Sequence, residues 1–218
     1  MLFVLLLWSF PSIILAQHHW LGTVLGIDIT NKADYAVPNK VGFIGGLTYG
    51  YQAHQNFVFE ANLLYNQRGF QQDYQFRDVN GKVMYHERVV YGFNYLSLPL
   101  KLSCRTDDPL HLIANVGVLP SVLLQAATSS LTKPPIERNK VSFDLGVIAE
   151  LGIGYTLYKN VSFYALAGVQ RTFWTVNPNM SRNKTISHYG WDFSLGFRYI
   201  LEKEVKADTP VQLQSPRV

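Results

Sequence analysis

The chain has 218 residues, of which 48% are hydrophobic, 14% aromatic and only 16% charged. This charged fraction lies well below the usual value of about 25% and is too small for an ordinary soluble surface. After residue 16, no segment approaches the roughly 20 consecutive apolar residues that a membrane helix needs. The net charge of +4 comes with no basic helix and no nucleic-acid motif, so we expect no nucleic-acid partner.

The first 16 residues predict a secretory signal peptide. They are almost wholly apolar, Pro11 and Ser12 interrupt the run, and Ala16 is a small residue before a cut at Gln17. No Lys or Arg precedes the apolar stretch, which departs from the usual signal. The alternative, a retained membrane anchor, is disfavoured because the run is short for a spanning helix. We expect a barrel over residues 17–201 and a polar C-terminal tail over 202–218.

About eight strand-like segments follow the leader, and the connections between them alternate in length. The segments are 20–30, 40–51, 57–67, 93–103, 110–124, 142–157, 161–173 and 189–201. The long, polar and aromatic gaps are 31–39, 68–92, 125–141 and 174–188, and the short gaps are 52–56, 104–109 and 158–160. Outer-membrane barrels have short periplasmic turns and long outward loops. The pattern therefore predicts an all-β fold, an eight-stranded antiparallel up-and-down transmembrane barrel in the cell outer membrane.

Alternate residues of the strongest segments divide into a large apolar face and a small or polar face, as strand geometry requires. The predicted lipid-facing residues include Val41, Phe43, Leu47, Tyr49, Phe143, Leu145, Val147, Leu151, Ile153, Trp191, Phe193, Leu195 and Phe197. Segment 161–173 gives a weaker signal, and there we assign Phe163, Ala165, Ala167 and Val169 to the lipid.

Aromatic residues collect near the strand ends, which is typical of the two girdles of a membrane barrel. One predicted girdle, on the short-turn side, contains Tyr51, Phe57, Tyr155, Tyr158 and Tyr199. The other contains Phe93, Tyr95, Phe173, Trp174, Tyr189 and Trp191. The alternative is that aromatic residues are simply good strand formers.

Asn80 and Gly81 form the strongest two-residue turn signal, a type I′ candidate. Uninterrupted pairing from this turn places Leu63 opposite Leu98, and Glu60 opposite Lys101. The long gap 68–92 would then be a tall hairpin that projects beyond the membrane. Pro99 cannot donate to a ladder, so we expect a local irregularity there.

Four charged residues, Glu60, Lys101, Glu150 and Arg198, fall on inward faces in the half nearest the short turns. A basic residue facing lipid near the midplane costs about 2–4 kcal/mol, so inward placement is favoured. An eight-stranded barrel is just wide enough for its side chains to fill it. We therefore predict a structural ion network that closes the lumen, in preference to a proton path or a ligand site.

The sequence predicts no enzyme, metal site or cofactor. The histidines have no metal-ligand spacing such as H-E-x-x-H, and neither a G-x-S-x-G elbow nor a glycine-rich phosphate loop is present. One acid–base combination stays open, His86 and Glu87 with Ser187 and His188, although loop histidines are usually bystanders. The single cysteine, Cys104, excludes an internal disulfide.

Aromatic and arginine side chains in the outward loops are candidates for protein contacts, because such residues dominate binding interfaces. The candidates are Tyr74, Phe76, Arg77, Tyr85, Arg88, Trp174 and Arg182. The alternative is that these loops merely tolerate sequence drift.

Two stretches resemble the PorT-like outer-membrane β-barrel family of Bacteroidetes. They are Asn56-Phe-Val-Phe-Glu60-Ala-Asn-Leu-Leu-Tyr65-Asn-Gln-Arg-Gly69 and Asn94-Tyr-Leu-Ser-Leu-Pro99-Leu-Lys101. The matching positions are Glu60, Gly69, Tyr95, Pro99 and Leu100, and the glycine-rich segment 146–155 resembles a later strand of that family. The likeness covers roughly residues 20–201, and the polar tail departs from it.

The resemblance implies a non-enzymatic barrel, and the namesake of the family assists protein secretion. We expect outer-membrane lipid and lipopolysaccharide as partners, together with secretion-system or surface proteins. The alternative is a lipid-modifying or ligand-binding barrel, including a lipocalin-like carrier with a hollow interior.

Overall fold

The computed structural model describes residues 18–32, 38–54, 56–106, 109–129, 142–158, 160–176 and 188–201. Nine antiparallel strands cover most of these residues. They are β1 (His18–Lys32), β2 (Lys40–His54), β3 (Phe57–Arg77), β4 (Val83–Ser97), β5 (Leu100–Arg105), β6 (Leu110–Ser129), β7 (Phe143–Tyr158), β8 (Val161–Val176) and β9 (His188–Leu201). Within the described segments, no helix has the length and apolar character required to cross a membrane.

The strands form one closed ring, in which β1 pairs with β9. Both β4 and β5 lie between β3 and β6, and only Leu98 and Pro99 separate them. Proline has no N–H to donate, but the Pro99 carbonyl accepts a hydrogen bond from Asn62 N at 3.0 Å. On the other side, Leu98 N donates to Pro120 O at 2.9 Å. β4 and β5 are therefore two halves of one interrupted strand, and the ring has eight strand positions, as predicted.

The strand ends confirm the alternation of short and long connections. At one end of the barrel, β2 and β3, β5 and β6, and β7 and β8 are joined by only the residues 55–56, 106–109 and 159–160. At the other end, much longer segments separate β1 from β2, β6 from β7 and β8 from β9. The short turns belong to the periplasmic end and the long connections to the extracellular end.

Exposure alternates along β2, β7, β8 and β9, the strands whose faces were predicted, which confirms those faces. Leu47, Leu151 and Leu195 are 62%, 68% and 68% exposed, and their immediate neighbours along the strands are less exposed. In β8, Phe163 is 48% exposed while Tyr164 is 5% exposed, so the weaker assignment of that strand also holds. Large apolar side chains therefore cover the outside of the ring, where hydrocarbon surrounds them.

The extracellular aromatic girdle was predicted partly wrongly. Trp174, Tyr189 and Trp191 face outward as expected. Tyr95, in contrast, is 3% exposed, and its ring lies 5.0 Å from the Arg68 guanidinium inside the barrel. Phe93 is also on the lumen side, with its ring against His188. Phe93 and Tyr95 are an even number of positions away from the inward-facing Lys101. Because alternate residues of a strand face the same side, their side chains face the lumen as well.

The predicted β3–β4 register is correct, but the predicted turn is not. Glu60 lies opposite Lys101 and Leu64 opposite Ser97. At the tip, Gly81 N donates to Asp78 O and Asp78 N to Lys82 O, which leaves a three-residue loop. Only Gly81 there has positive φ, at 81°, whereas a type I′ turn needs two such residues. The loop has one residue more than predicted, and a bulge at the Phe76/Arg77 step offsets it, so the predicted register holds in the rest of the hairpin.

The assignment of outward-facing residues to lipid predicts that a charge placed on this face lowers the stability of the barrel. Replacing the 68%-exposed Leu151 by Arg should lower the unfolding free energy in lipid vesicles by about 2–4 kcal/mol. Val79 at the hairpin tip is 100% exposed, so Val79→Arg should change it by less than about 0.5 kcal/mol. Urea titration monitored by tryptophan fluorescence measures both. Equal stabilities for the two variants would contradict the assignment of the Leu151 face to lipid.

Candidate functional site

Four charged side chains from four strands meet in the lower lumen, nearest the short turns. Lys101 Nζ lies 2.7 Å from Glu150 Oε2 and 3.6 Å from Glu60 Oε2, and Arg198 Nη2 lies 3.1 Å from Glu60 Oε1. All four side chains are at most 6% exposed. The structure thus brings the four predicted lumen residues into one network, which we call the lumen ion network.

Two further side chains belong to this network and were missed. Arg105 Nη2 lies 2.6 Å from Glu60 Oε1, and Asn115 Nδ2 donates to Glu150 Oε2 at 2.7 Å. Arg105 was missed because the strand was expected to end at residue 103, which left it in a turn. Strand alternation was the available signal, since Arg105 has the same parity as the inward Lys101.

Aromatic rings complete the lower lumen. The Arg198 guanidinium lies 4.5 Å from the Trp20 ring and 3.8 Å from the Tyr164 ring, within cation–π range. Any Cβ at Gly50 or Gly196 would collide with these two rings. The inward glycines therefore make room for large side chains, and together they fill this half of the barrel.

A second polar cluster closes the upper lumen. Arg68 Nε lies 3.8 Å from Asp28 Oδ2, which also accepts a hydrogen bond from Gln170 Nε2 at 2.6 Å. The sequence placed Arg68 at the start of the gap 68–92, which was expected to project beyond the membrane, but β3 continues through it and its side chain is 1% exposed inside the barrel. Between the two clusters, a cavity of about 20 Å³ borders Glu150 and Asp192, room for about one water molecule.

The β3–β4 hairpin continues beyond the lipid-covered wall. Three outward polar residues in neighbouring strands, Gln67, Asn94 and Gln125, mark the boundary, and Asn94 Nδ2 donates to Gln125 Oε1 at 3.3 Å. Above this level β3 and β4 remain paired to Arg77 and Val83. We call residues 72–89 the ribbon, and its β3 strand reaches roughly 30 Å along the chain beyond Gln67.

Side-chain contacts across the two strands help to hold the ribbon together. The rings of Phe76 and Tyr85 are stacked with centroids 4.5 Å apart. Arg88 Nε donates to Asp73 Oδ1 at 2.8 Å, and this hydrogen bond holds the pKa of the Asp73 carboxyl below its usual value. At the ribbon base, Tyr91 shares a 3.0 Å hydroxyl contact with Tyr74, and burial with this contact raises the pKa of Tyr91 to about 12.

The structure brings together five of the seven candidate contact residues. Tyr74, Phe76, Arg77, Tyr85 and Arg88 all belong to the ribbon. Trp174 lies elsewhere, on β8, where it packs edge-on against Phe143 in the aromatic girdle. Arg182 lies outside the described residues.

The acid–base combination that the sequence left open is not assembled. His86 is exposed on the ribbon. His188 is 3% exposed, inside a shell of aromatic rings that includes Phe70 and Phe93, and Ser187 lies outside the described residues. The described residues also contain no group of three or more His, Cys, Asp or Glu side chains that could hold a metal ion.

Comparison with known proteins agrees with this architecture. A family model described as outer membrane protein beta-barrel domain matches residues 23–163. The chain belongs to this family. No curated protein matches it.

Solved outer-membrane barrels share the fold. A major outer membrane protein from Thermus thermophilus has a TM-score of 0.54 and 13% identity, over 85% of this chain and 100% of that chain. Neisserial surface protein A has a TM-score of 0.49 and 12% identity, over 83% of this chain and 96% of that chain. OprG from Pseudomonas aeruginosa has a TM-score of 0.44 and 12% identity, over 86% and 96%. The Thermus protein therefore supports the barrel architecture, and the low identities support the fold alone.

The lumen ion network predicts a large effect of removing its central carboxylate. Glu60 contacts three cations, so Glu60→Gln leaves the buried Lys101 and Arg198 and the partly buried Arg105 with less compensation and should destabilise the barrel by about 3–5 kcal/mol. Urea unfolding in lipid vesicles measures this. Asp73→Asn removes an exposed ion pair from the ribbon and should leave the unfolding midpoint nearly unchanged. Similar midpoints for Glu60→Gln and the unaltered protein would show that the network contributes little.

Proposed function

We propose that this member of the outer-membrane barrel family is a non-enzymatic protein with a side-chain-filled lumen, which acts by contacting other proteins through its extracellular ribbon. The observation that carries the proposal is the combination of a filled interior with a projecting hairpin that carries aromatic and arginine side chains. A barrel whose interior is occupied by an ion network and stacked rings has little room for a solute. The ribbon instead offers preorganised aromatic and arginine side chains, the residues that supply most binding energy at interfaces.

We further propose that these contacts serve protein secretion, as the PorT-like resemblance implies. The support is the resemblance of segments 56–69 and 94–101 to that family, which includes Glu60 of the ion network and the strand-breaking Pro99. The proposed partners are secretion-system or surface proteins, with lipopolysaccharide and other outer-membrane lipid around the barrel. A lipocalin-like carrier is disfavoured, because such a carrier places its apolar rows around a cavity and here they face outward.

The closed lumen predicts the absence of a pore. In planar bilayers, the purified barrel should give no steady ionic conductance, because two buried polar clusters and several aromatic rings obstruct the interior. A porin reconstituted in the same bilayers serves as the positive control. A stable open channel from the pure protein would refute the closed-lumen proposal.

The secretion role predicts a change in exported protein. Deleting the gene should lower the amount of proteins in the medium and raise their amount in the periplasm, as measured by quantitative proteomics of both fractions. Full-length protein should restore secretion, whereas a variant in which residues 72–89 are replaced by Asn-Gly should not. An unchanged exported proteome on deletion would refute the secretion role, and rescue by the shortened variant would refute the role of the ribbon.

A further inference from the structure

One arginine of the barrel wall faces the lipid. Arg171 on β8 is exposed, whereas Gln170 and Thr172 on either side of it are 6% and 3% exposed. Because alternate residues of a strand face opposite sides, its guanidinium is on the outer surface of the barrel. Among the described residues of the wall below the ribbon, the other Asp, Glu, Lys and Arg side chains occupy lumen-facing positions of their strands. Arg171 therefore departs from the rule that the rest of the wall follows.

Arg171 lies at the extracellular edge of the lipid-covered wall. The strand β8 begins at Val161, at the periplasmic end, and reaches Arg171 ten residues later. At about 3.4 Å per residue and a strand tilt of about 35–45°, the rise is about 25 Å, which is the height of the apolar band of such barrels. Girdle residues surround this position, since Tyr189 lies opposite Arg171 on β9 and Phe173 is two residues further along β8. The guanidinium is therefore at the level of the outer-leaflet headgroups.

The protein around Arg171 is apolar or basic. Its neighbours across the two ladders are Val147 and Tyr189, and within the described segments its side chain makes no hydrogen bond or ion pair. By sequence, the β8–β9 connection, residues 177–187, contains two bases and neither Asp nor Glu, and the β6–β7 connection, residues 130–141, contains three bases and one acid. This excess of positive charge at the membrane surface attracts anionic lipid.

An apolar groove on the outer surface begins directly below Arg171. Val169, two residues below Arg171 on β8, and Trp191, opposite Val169 on β9, border its upper end. Three small residues of neighbouring strands line it, namely Ala114, Ala149 and Ala167. The groove has a volume of about 680 Å³, within the range of about 300–1,000 Å³ that is usual for ligand sites. Since hydrocarbon surrounds this wall, an acyl chain is the group that fits the groove.

We propose that Arg171 and the groove below it bind lipopolysaccharide, with a lipid A phosphate on the guanidinium and one acyl chain over Ala149 and Ala167. Arginine donates two parallel hydrogen bonds to a phosphate, and the amphipathic rings of Tyr189 and Trp191 suit the headgroup boundary. Lipopolysaccharide is the occupant because the site is at the extracellular end, in the outer leaflet. The inference deepens the proposed function, since it assigns a site to the lipopolysaccharide partner proposed there.

The test measures the binding of defined lipids to the full-length protein in a neutral detergent by native mass spectrometry. The probes are lipid A, the same lipid A without its phosphates, and phosphatidylglycerol. Arg171→Gln removes the guanidinium from the site. Arg77→Gln removes the same charge from the exposed ribbon and is the matched control. Ala167→Leu fills the groove and leaves the guanidinium in place.

The unaltered protein should bind lipid A at least about tenfold more tightly than the dephosphorylated form and than phosphatidylglycerol, by a margin that salt reduces. Arg171→Gln should bring the two forms of lipid A to within about threefold of each other, because the phosphate loses its charged donor. Arg77→Gln should stay within about threefold of the unaltered protein. Ala167→Leu should weaken both forms at least about threefold and keep the preference for phosphate, because it removes apolar contacts with the acyl chain.

Several results would overturn the inference. Equal binding of the two forms of lipid A by the unaltered protein would do so without any variant, so the test holds even if Arg171→Gln fails to fold. A preference for phosphate that survives in Arg171→Gln, or is lost equally in Arg77→Gln, would exclude Arg171. Undiminished binding by Ala167→Leu would exclude the groove, and equally tight phosphatidylglycerol would assign the site to phospholipid instead. If Arg171→Gln binds lipid A normally while the shortened ribbon still fails to restore secretion, the lipid site fails and the proposed function stands.

Discussion

The structure depends on one constraint: hydrocarbon offers no hydrogen-bond partner to a backbone amide, so each spanning strand must be paired on both sides. The ring meets this constraint by joining β1 to β9. The constraint is met even at Pro99, which has no N–H to donate. The carbonyl of Pro99 and the amide of Leu98 keep the ladder continuous across the break between β4 and β5. Closure in turn fixes the alternation of faces, because any residue in a closed wall points either to the lipid or to the lumen.

Closure also explains why so many charges are buried together. The charged residues of the two lumen clusters are turned inward, where an unpaired charge is costly and several opposite charges compensate one another. Glu60 illustrates this, since one carboxylate contacts Lys101, Arg105 and Arg198. The space between them is occupied by Trp20 and Tyr164, which fit because glycine stands opposite each ring. The ion network, the glycines and the rings are thus linked consequences of a narrow closed cylinder.

Much of this was predictable from the sequence, because a period of two is a strong signal when one face is lipid and the other is lumen. It gave the faces of β2, β7, β8 and β9 and brought Glu60 opposite Lys101. Prediction from this period failed in two places: at the upper end of β3, where the strand continues past the membrane, and at the hairpin tip, where backbone torsion angles decide the type of turn. Arg68 was assigned to the gap after β3 because the sequence becomes polar there. The strand in fact continues, and its alternation still directs Arg68 into the lumen. The tip was assigned two turn residues, but Asn80 lacks positive φ, and the register survived only because the extra loop residue and the bulge at Phe76/Arg77 offset each other.

The same constraint separates the membrane-spanning part of the molecule from the ribbon above it. Inside the membrane, the ladder satisfies the backbone and the lumen is filled, so few groups remain free to recognise another molecule. Beyond Gln71 of β3 and Val90 of β4 no further pairing with β2 or β6 is recorded in the described segments, while β3 and β4 continue as a pair. Water can satisfy the edges that this leaves open, so they are tolerated here and would not be tolerated lower down. The ribbon is therefore the part of the described sheet in which two strands pair only with each other, and the stacking of Phe76 on Tyr85 helps to hold them together.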